Sequence, residues 1–225
     1  MKRKLFVVIA IVLVLSLFSM NVFAEESTGY SDVNKTAWYA EAVDYVTEHE
    51  LMYGVGNGRF EPMGTTTRAM VVAVLWRHYG APAYEFSGTV FLDLKDGQWY
   101  SAAAEWAYYA DIVDGIPLTF ISDEPTGFSV NFAPEQMITR EQLAAFIYRY
   151  ASFLGADVSQ RVDLSAFKDQ SSVSSWAVTA MQWCVAEGII YGIEETDAVR
   201  LDPKGTATRA QVATILMRFC QKVSG

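Results

Sequence analysis

A four-residue phrase recurs three times in this chain: Thr67-Arg68-Ala69-Met70, Thr139-Arg140-Glu141-Gln142 and Thr208-Arg209-Ala210-Gln211. Each copy opens an apolar helical pattern and follows a proline by a few residues, at Pro62, Pro134 and Pro203. Internal recurrence of this kind marks an array of small units, none of which can bury its apolar face alone. Further anchors keep the same order in each copy. An aromatic stands two residues before an Asp (Tyr30 and Asp32, Phe91 and Asp93, Phe167 and Asp169). A tryptophan follows (Trp38, Trp99, Trp176), then an Ala-rich amphipathic stretch ending near a glycine (Gly54, Gly115, Gly192). The second unit is longer because of an insert between Gly115 and Phe132.

Each unit reads as helix–loop–helix. First helices are expected over about residues 38–50, 100–110 and 175–187, with Ala42, Val43 and Val46, or Ala180, Met181 and Cys184, on a buried face. The glycines are expected to end these helices or to permit the turn beyond. Phe60-Glu61-Pro62, Phe132-Ala133-Pro134 and Leu201-Asp202-Pro203 are expected as extended turns, because a residue before proline avoids the helical region. In the second helices, counting from the Arg, positions +3, +6 and +7 are Val71, Val74 and Leu75, then Leu143, Phe146 and Ile147, then Val212, Ile215 and Leu216. That is one stripe of helical period. Position +9 is Arg in all three copies (Arg77, Arg149, Arg218), near the helix C-termini, where the dipole favours a cation; these read as structural. A unit of about 50 residues buries too little surface to stand alone, so the three are expected to share one core.

The Thr of each phrase is a good N-cap, and Gln142 and Gln211 complete a capping box that Met70 interrupts. The Arg has no such local explanation. It falls at the first helical position, where a cation meets the positive end of the dipole at a cost of up to about 1 kcal/mol. Its repetition implies a compensating role. A guanidinium beside unpaired helix N–H groups would receive a carboxylate or phosphate. Alternatively Asp32, Asp93 or Asp169 of a neighbouring unit pairs with it, and an Asp could hold the Arg in place for a ligand. The tryptophans have two readings as well, core packing or a stacking face for a sugar, and the aromatic residues Tyr108, Tyr109, Tyr148 and Tyr150 read as packing.

Lys2, Arg3 and Lys4, the apolar run from Leu5 to Phe18, and Val22-Phe23-Ala24 together read as a secretory signal over residues 1–24, cleaved before Glu25. The run is short for a membrane span, so no stable insertion is expected after cleavage. No Cys follows it to accept a lipid. The formal net charge is −9, and three of the 17 basic residues lie in the leader. An acidic surface argues against nucleic acid and anionic membrane as partners. Two cysteines, Cys184 and Cys220, could bridge two packed helices or remain buried thiols. With two histidines, His49 and His78, no metal-site spacing appears and no cofactor is implied.

The aromatic-x-Asp start, the Trp, the Gly turn, the Phe-x-Pro and the Thr-Arg phrase, in that order three times, resemble the S-layer homology domain family. The resemblance covers nearly all of the mature chain, as units at residues 30–80, 91–155 (insert 116–131) and 167–223. It implies an all-α fold of three helix–loop–helix repeats packed around a pseudo-threefold axis with a shared central helical bundle. It also implies a bacterial cell-surface protein, held non-covalently to the wall through a secondary cell wall polymer carrying pyruvylated amino sugars. By that resemblance Arg68, Arg140 and Arg209 grip the acidic group, and Trp38, Trp99 and Trp176 line the sugar face. Asp32, Asp93 and Asp169 bond hydroxyls or brace the site, and Gly54, Gly115 and Gly192 admit the backbone. The chain departs from the pattern at Met70, Gln142 and Gln211, which replace a Glu. It departs again at Ser175-Trp176-Ala177 and Leu201, and in the insert, which could reshape one groove.

Two other classes stay open. One is a protein-interaction or coat-assembly subunit with other surface proteins as partners. The other is a cell-wall glycan hydrolase using Glu194/Glu195 or Asp123/Glu124, although adjacent loop carboxylates are ordinarily solvated surface and no Ser-His-Asp or Cys-His pattern stands out. The units leave no residues for a cargo domain, so a truncated anchor, a cargo-recruiting subunit and a coat component are all compatible with the sequence.

Overall fold

We describe the protein from a computed structural model over residues 29–83, 91–117 and 130–223. The leader, Asp123/Glu124 and most of the insert lie outside these residues. The structure is helix-rich. Its α-helices are α1 (Ala40–Glu48), α2 (Arg68–His78), α3 (Ser101–Tyr109), α4 (Arg140–Phe153), α5 (Val178–Ala186) and α6 (Arg209–Val223). Among the described residues there are also two antiparallel pairs of two-residue strands, β1 (Ile116–Pro117) with β2 (Val130–Asn131) and β3 (Ile193–Glu194) with β4 (Val199–Arg200). Among the described residues no helix is long and apolar enough to cross a membrane.

The three phrase-bearing helices, α2, α4 and α6, each begin at the Arg of the phrase. Thr67 Oγ1 accepts from Met70 N at 3.2 Å, so the first cap forms without its reciprocal half. Gln142 and Gln211 complete the box by accepting from Thr139 N and Thr208 N. The whole predicted apolar stripe is buried. The shorter helices start two or three residues later than expected, except α3, which starts at Ser101. In the third segment a 3-10 turn, Ser175–Ala177, comes first.

The expected helix-ending glycines lie too far along the chain to end anything. The shorter helices stop at left-handed residues, Glu50 (φ 56°), Asp111 (φ 55°) and Gly188 (φ 69°), of which only the last is a glycine. The pre-proline turns also differ from expectation. Glu61, Ala133 and Asp202 are left-handed, at φ 57°, 56° and 52°, rather than extended. The cause is long-range. Asp32 accepts from Phe60 N and Glu61 N at 2.8 and 2.9 Å. Asp93 does the same for Phe132 N and Ala133 N, and Asp169 for Leu201 N and Asp202 N. Two consecutive N–H groups aimed at one carboxylate form an anion nest, which requires such a backbone.

Packing between segments is cyclic. Helix α2 packs on α3, α4 on α5, and α6 returns to α1. Thr66 N donates to Ala207 O, Ala207 N to Ile138 O, and Ile138 N to Thr66 O, linking the N-terminal ends of α2, α4 and α6. Farther along, the residue ten positions after each Arg meets its equivalents: His78, Tyr150 and Phe219, with ring centroids 5.6 to 6.1 Å apart. One continuous apolar core includes residues of all six helices. Cys184 and Cys220 are buried free thiols within it, and burial pushes the Cys220 thiol up to about 11.

His78 Nδ1 and Tyr150 Oη are hydrogen-bonded at 2.6 Å. Burial lowers the His78 pKa from its ordinary value and raises that of Tyr150. A depressed folded-state pKa means the neutral-ring stabilisation is complete above about pH 6.5 and is lost as pH falls through the lower folded value. Chemical denaturation between pH 7.5 and 5 should therefore show a fall in stability on acidification that His78→Gln flattens; an unchanged slope in the variant would assign the fall to carboxylates.

Candidate functional site

The arginines of the repeated phrase are nearly fully buried: Arg68 is 3 %, Arg140 4 % and Arg209 9 % exposed. Each reaches into the turn of the next segment. Arg68 Nε donates to Phe132 O at 2.8 Å, Arg140 Nε to Leu201 O at 2.6 Å and Arg209 Nε to Phe60 O at 2.7 Å. The helix N-terminal N–H groups are taken by the same turns. Arg68 N and Ala69 N donate to Gln136 O and Pro134 O, and Arg140 N and Glu141 N to Gly205 O and Pro203 O. Arg209 N and Ala210 N donate to Gly64 O and Pro62 O. The free N–H receptor expected from sequence is thus filled by backbone carbonyls.

Those carbonyls also explain the tolerated cation. The guanidinium sits among oxygens of the neighbouring turn, which offset the helix field. Burial still lowers all three pKa values, that of Arg68 to about 10, which leaves Arg68 charged at neutral pH. No ion pair joins these arginines to Asp32, Asp93 or Asp169 among the described residues. The carboxylates act through space: Asp93 and Asp114 toward Arg68, Asp202 more than Asp169 toward Arg140, and Glu61 more than Asp32 toward Arg209. Asp and Arg thus hold one turn from two sides, the Asp through its N–H groups and the Arg through its carbonyl.

Trp38, Trp99 and Trp176 are exposed, at 62 %, 60 % and 55 %. The following residues, Tyr39, Tyr100 and Ala177, take the buried place instead. Each Trp faces a buried Arg of another segment across a groove. Trp176 shares a groove with Arg68, Gly115, Gln142 and Arg149. Trp38 shares one with Arg140, Gly192, Gln211 and Arg218. Trp99 shares one with Arg209, Tyr53, Met70 and Arg77. The volumes are about 430, 440 and 150 Å³ in that order.

The glycines serve the interior at least as much as the grooves. A Cβ on Gly192 would lie 2.8 Å from the Phe167 ring and 2.7 Å from Val199 Cγ1. Gly54 and Gly115 meet Tyr30 and Phe91 in the same way. The aromatic of the aromatic-x-Asp anchor occupies that space.

Sequence reasoning assigned Arg77, Arg149 and Arg218 to the helix dipole and Gln142 and Gln211 to capping alone. All five line the grooves. The signal was present: phrase position +2 and position +9 are seven residues apart, nearly two helical turns, so they share one face beside the buried stripe. The residues before the glycines, Tyr53, Asp114 and Tyr191, carried no signal; their place beside these arginines follows from the fold. Among the described residues no group of three or more His, Cys, Asp or Glu is placed to hold a metal.

A sequence model of the S-layer homology domain matches residues 29–69 and 166–213, the parts that contain the first and third phrases' segments. These two segments belong to the S-layer homology domain family. Similar proteins include the Surface-layer 125 kDa protein of Lysinibacillus sphaericus, 30 % identical over 195 residues, 86 % of this chain and 15 % of that protein. The amylopullulanase of Thermoanaerobacterium thermosulfurigenes is 29 % identical over 91 % of this chain and 10 % of its own length. The Cellulosome-anchoring protein of Acetivibrio thermocellus is 25 % identical over 76 % of this chain and 36 % of its own. The chain therefore spans a minor part of each of these relatives. Carrying S-layer homology segments, it is associated with the bacterial cell surface and cell wall.

Proposed function

We propose that this chain is a non-covalent cell-envelope anchoring module that binds an anionic, pyruvylated secondary cell wall polymer in grooves between repeats. Its three repeats, residues 30–80, 91–155 and 167–223, are related by a pseudo-threefold axis and share a central bundle of α2, α4 and α6. The cyclic contacts of the helices and of Thr66, Ile138 and Ala207 support that arrangement. The observation that carries the function is the groove composition: an exposed Trp opposite a buried Arg, with a second Arg beside it at position +9. An aromatic face stacks the apolar side of a pyranose, and paired guanidinium groups bind the ketal carboxylate. Arg68, Arg140 and Arg209 supply the charge, and Trp38, Trp99 and Trp176 the face. Asp32, Asp93 and Asp169 brace the turns, and Gly54, Gly115 and Gly192 let those turns close. The module is not catalytic, and an anchoring role fits the names of two relatives.

The test is retention on purified wall polymer before and after chemical removal of pyruvate. Retention should disappear with the pyruvate and should weaken as salt rises. Retention indifferent to pyruvate would favour a protein partner, and release of reducing ends from the glycan would restore the hydrolase reading.

A further inference from the structure

The three grooves hold similar residues but leave different numbers of cationic donors uncommitted. In the Trp99 groove both arginines already donate to main-chain carbonyls. Arg209 donates to Phe60 O and, through Nη2, to Tyr53 O at 2.6 Å, and Arg77 Nη1 donates to Leu51 O at 2.5 Å. Met70 stands where the other grooves have Gln, with Met52, Val74 and Val212 around it. The volume of about 150 Å³ is below the several hundred that enclose a small ligand.

The Trp176 groove is large enough but carries its own anion. Asp114 ion-pairs with Arg149, while its main-chain oxygen accepts from Arg68 Nη2 at 3.3 Å. An incoming carboxylate would have to displace one already present. The equivalent residue in the Trp38 groove is Tyr191, whose ring lies 4.2 Å from the Arg218 guanidinium carbon. That contact orients the cation and uses none of its hydrogen-bond donors. Among the described residues Arg218 has no hydrogen-bond or ion-pair partner, and Arg140 donates only through Nε. Gln211 and Thr214 add polar groups to the same wall. The groove's carboxylate, Glu194, forms no ion pair with Arg140 or Arg218 among the described residues, whereas Asp114 pairs with Arg149.

The geometry points to a single high-affinity acidic-glycan site per chain, the Trp38–Arg140–Arg218 groove, with Asp114 as the residue that excludes acidic sugars from the Trp176 groove. This rests on the glycan-binding reading and narrows it to one groove. Arg140 and Arg218 are desolvated cations with donors to spare, which is the condition under which a carboxylate gains most. The Trp176 groove, where Asp114 already occupies Arg149, is left for uncharged sugar units of the same chain.

Calorimetric titration with a methyl glycoside of an N-acetylated amino sugar bearing a pyruvate ketal tests this. The full mature chain should bind one equivalent. Arg218→Gln, whose fold is checked by its thermal melt, should weaken that binding by about 30-fold, the range for losing a charge-assisted bidentate contact. Asp114→Asn should raise the stoichiometry from one to two, the second site binding at least tenfold tighter than the same groove does in the wild type. Three equal sites, or Asp114→Asn leaving the stoichiometry at one, would overturn the inference while the anchoring function stands. Polymer retention without any glycoside binding would overturn the assignment of this groove to the acidic sugar. Failure of the polymer itself to bind would remove the function and this inference together.

Discussion

Asp93→Ala is expected to destabilise the protein by about 3 kcal/mol and to lower its melting temperature by on the order of 10 °C. The carboxylate accepts from Phe132 N and Ala133 N at 2.7 Å each. Bonds to a charged acceptor contribute about 1.5–3 kcal/mol apiece, discounted here because the site is only partly buried. Without them two N–H groups lose their partner, and the left-handed Ala133, at φ 56°, loses what holds it. Asp93→Asn should recover little, because its amide NH2 would face one of the two donors. The loss should also reach the neighbouring groove, since Phe132 O is the seat of Arg68. Thermal denaturation of Asp93→Ala followed by circular dichroism is the measurement. A melting temperature within about 2 °C of the parent would show that the turn is held by its proline alone.

The second large effect is expected at Glu141, a position where the other two copies of the phrase have Ala69 and Ala210. Glu141 is 3 % exposed and accepts from Ser174 N at 2.9 Å, Ser174 Oγ at 3.0 Å and Lys204 Nζ at 2.6 Å. Breaking a buried pair by removing one partner costs about 3–5 kcal/mol; because the Lys204 side chain is 56 % exposed, Glu141→Ala should sit at the lower end. The bonded Ser174 begins the 3-10 turn that places Trp176, so the near-ultraviolet signal of the folded protein should change too. A double-mutant cycle with Lys204→Ala should return a coupling above about 1 kcal/mol. A coupling near zero would mean that Ser174 alone carries the effect.

These two carboxylates differ in how far the sequence announced them. Asp93 belongs to an anchor that recurs, so its importance could be read from the pattern, although not its partners. Glu141 occurs once and looks like an ordinary acidic residue in the first turn of a helix, where the dipole would favour it on any surface. Its burial against the third segment depends on how α4 packs with α5, which no local pattern encodes. The same division runs through the candidate site. The phrase arginines were found because they opposed the local field. Arg77, Arg149 and Arg218 agree with it, so the local pattern gives them no distinguishing mark. The tryptophans were undecided until burial was known, since a ring at a helix start packs inward or outward according to what lies opposite.

From its sequence the chain discloses three ordered sets of anchors, the Thr caps of the long helices, the apolar stripe at positions +3, +6 and +7, and its resemblance to the S-layer homology domain family. These are encoded within a few residues of one another, in the helical period and in capping chemistry. Only the tertiary structure decides that the buried arginines bond carbonyls rather than carboxylates, that the pre-proline residues turn left-handed, and that Asp114 puts a carboxylate beside Arg149 where the other two grooves have Tyr53 and Tyr191. The Arg acceptors lie 64, 61 and 149 residues away along the chain. A donor's partner at that separation is fixed by how segments close on one another, and side-chain spacing within a single helix carries no record of it.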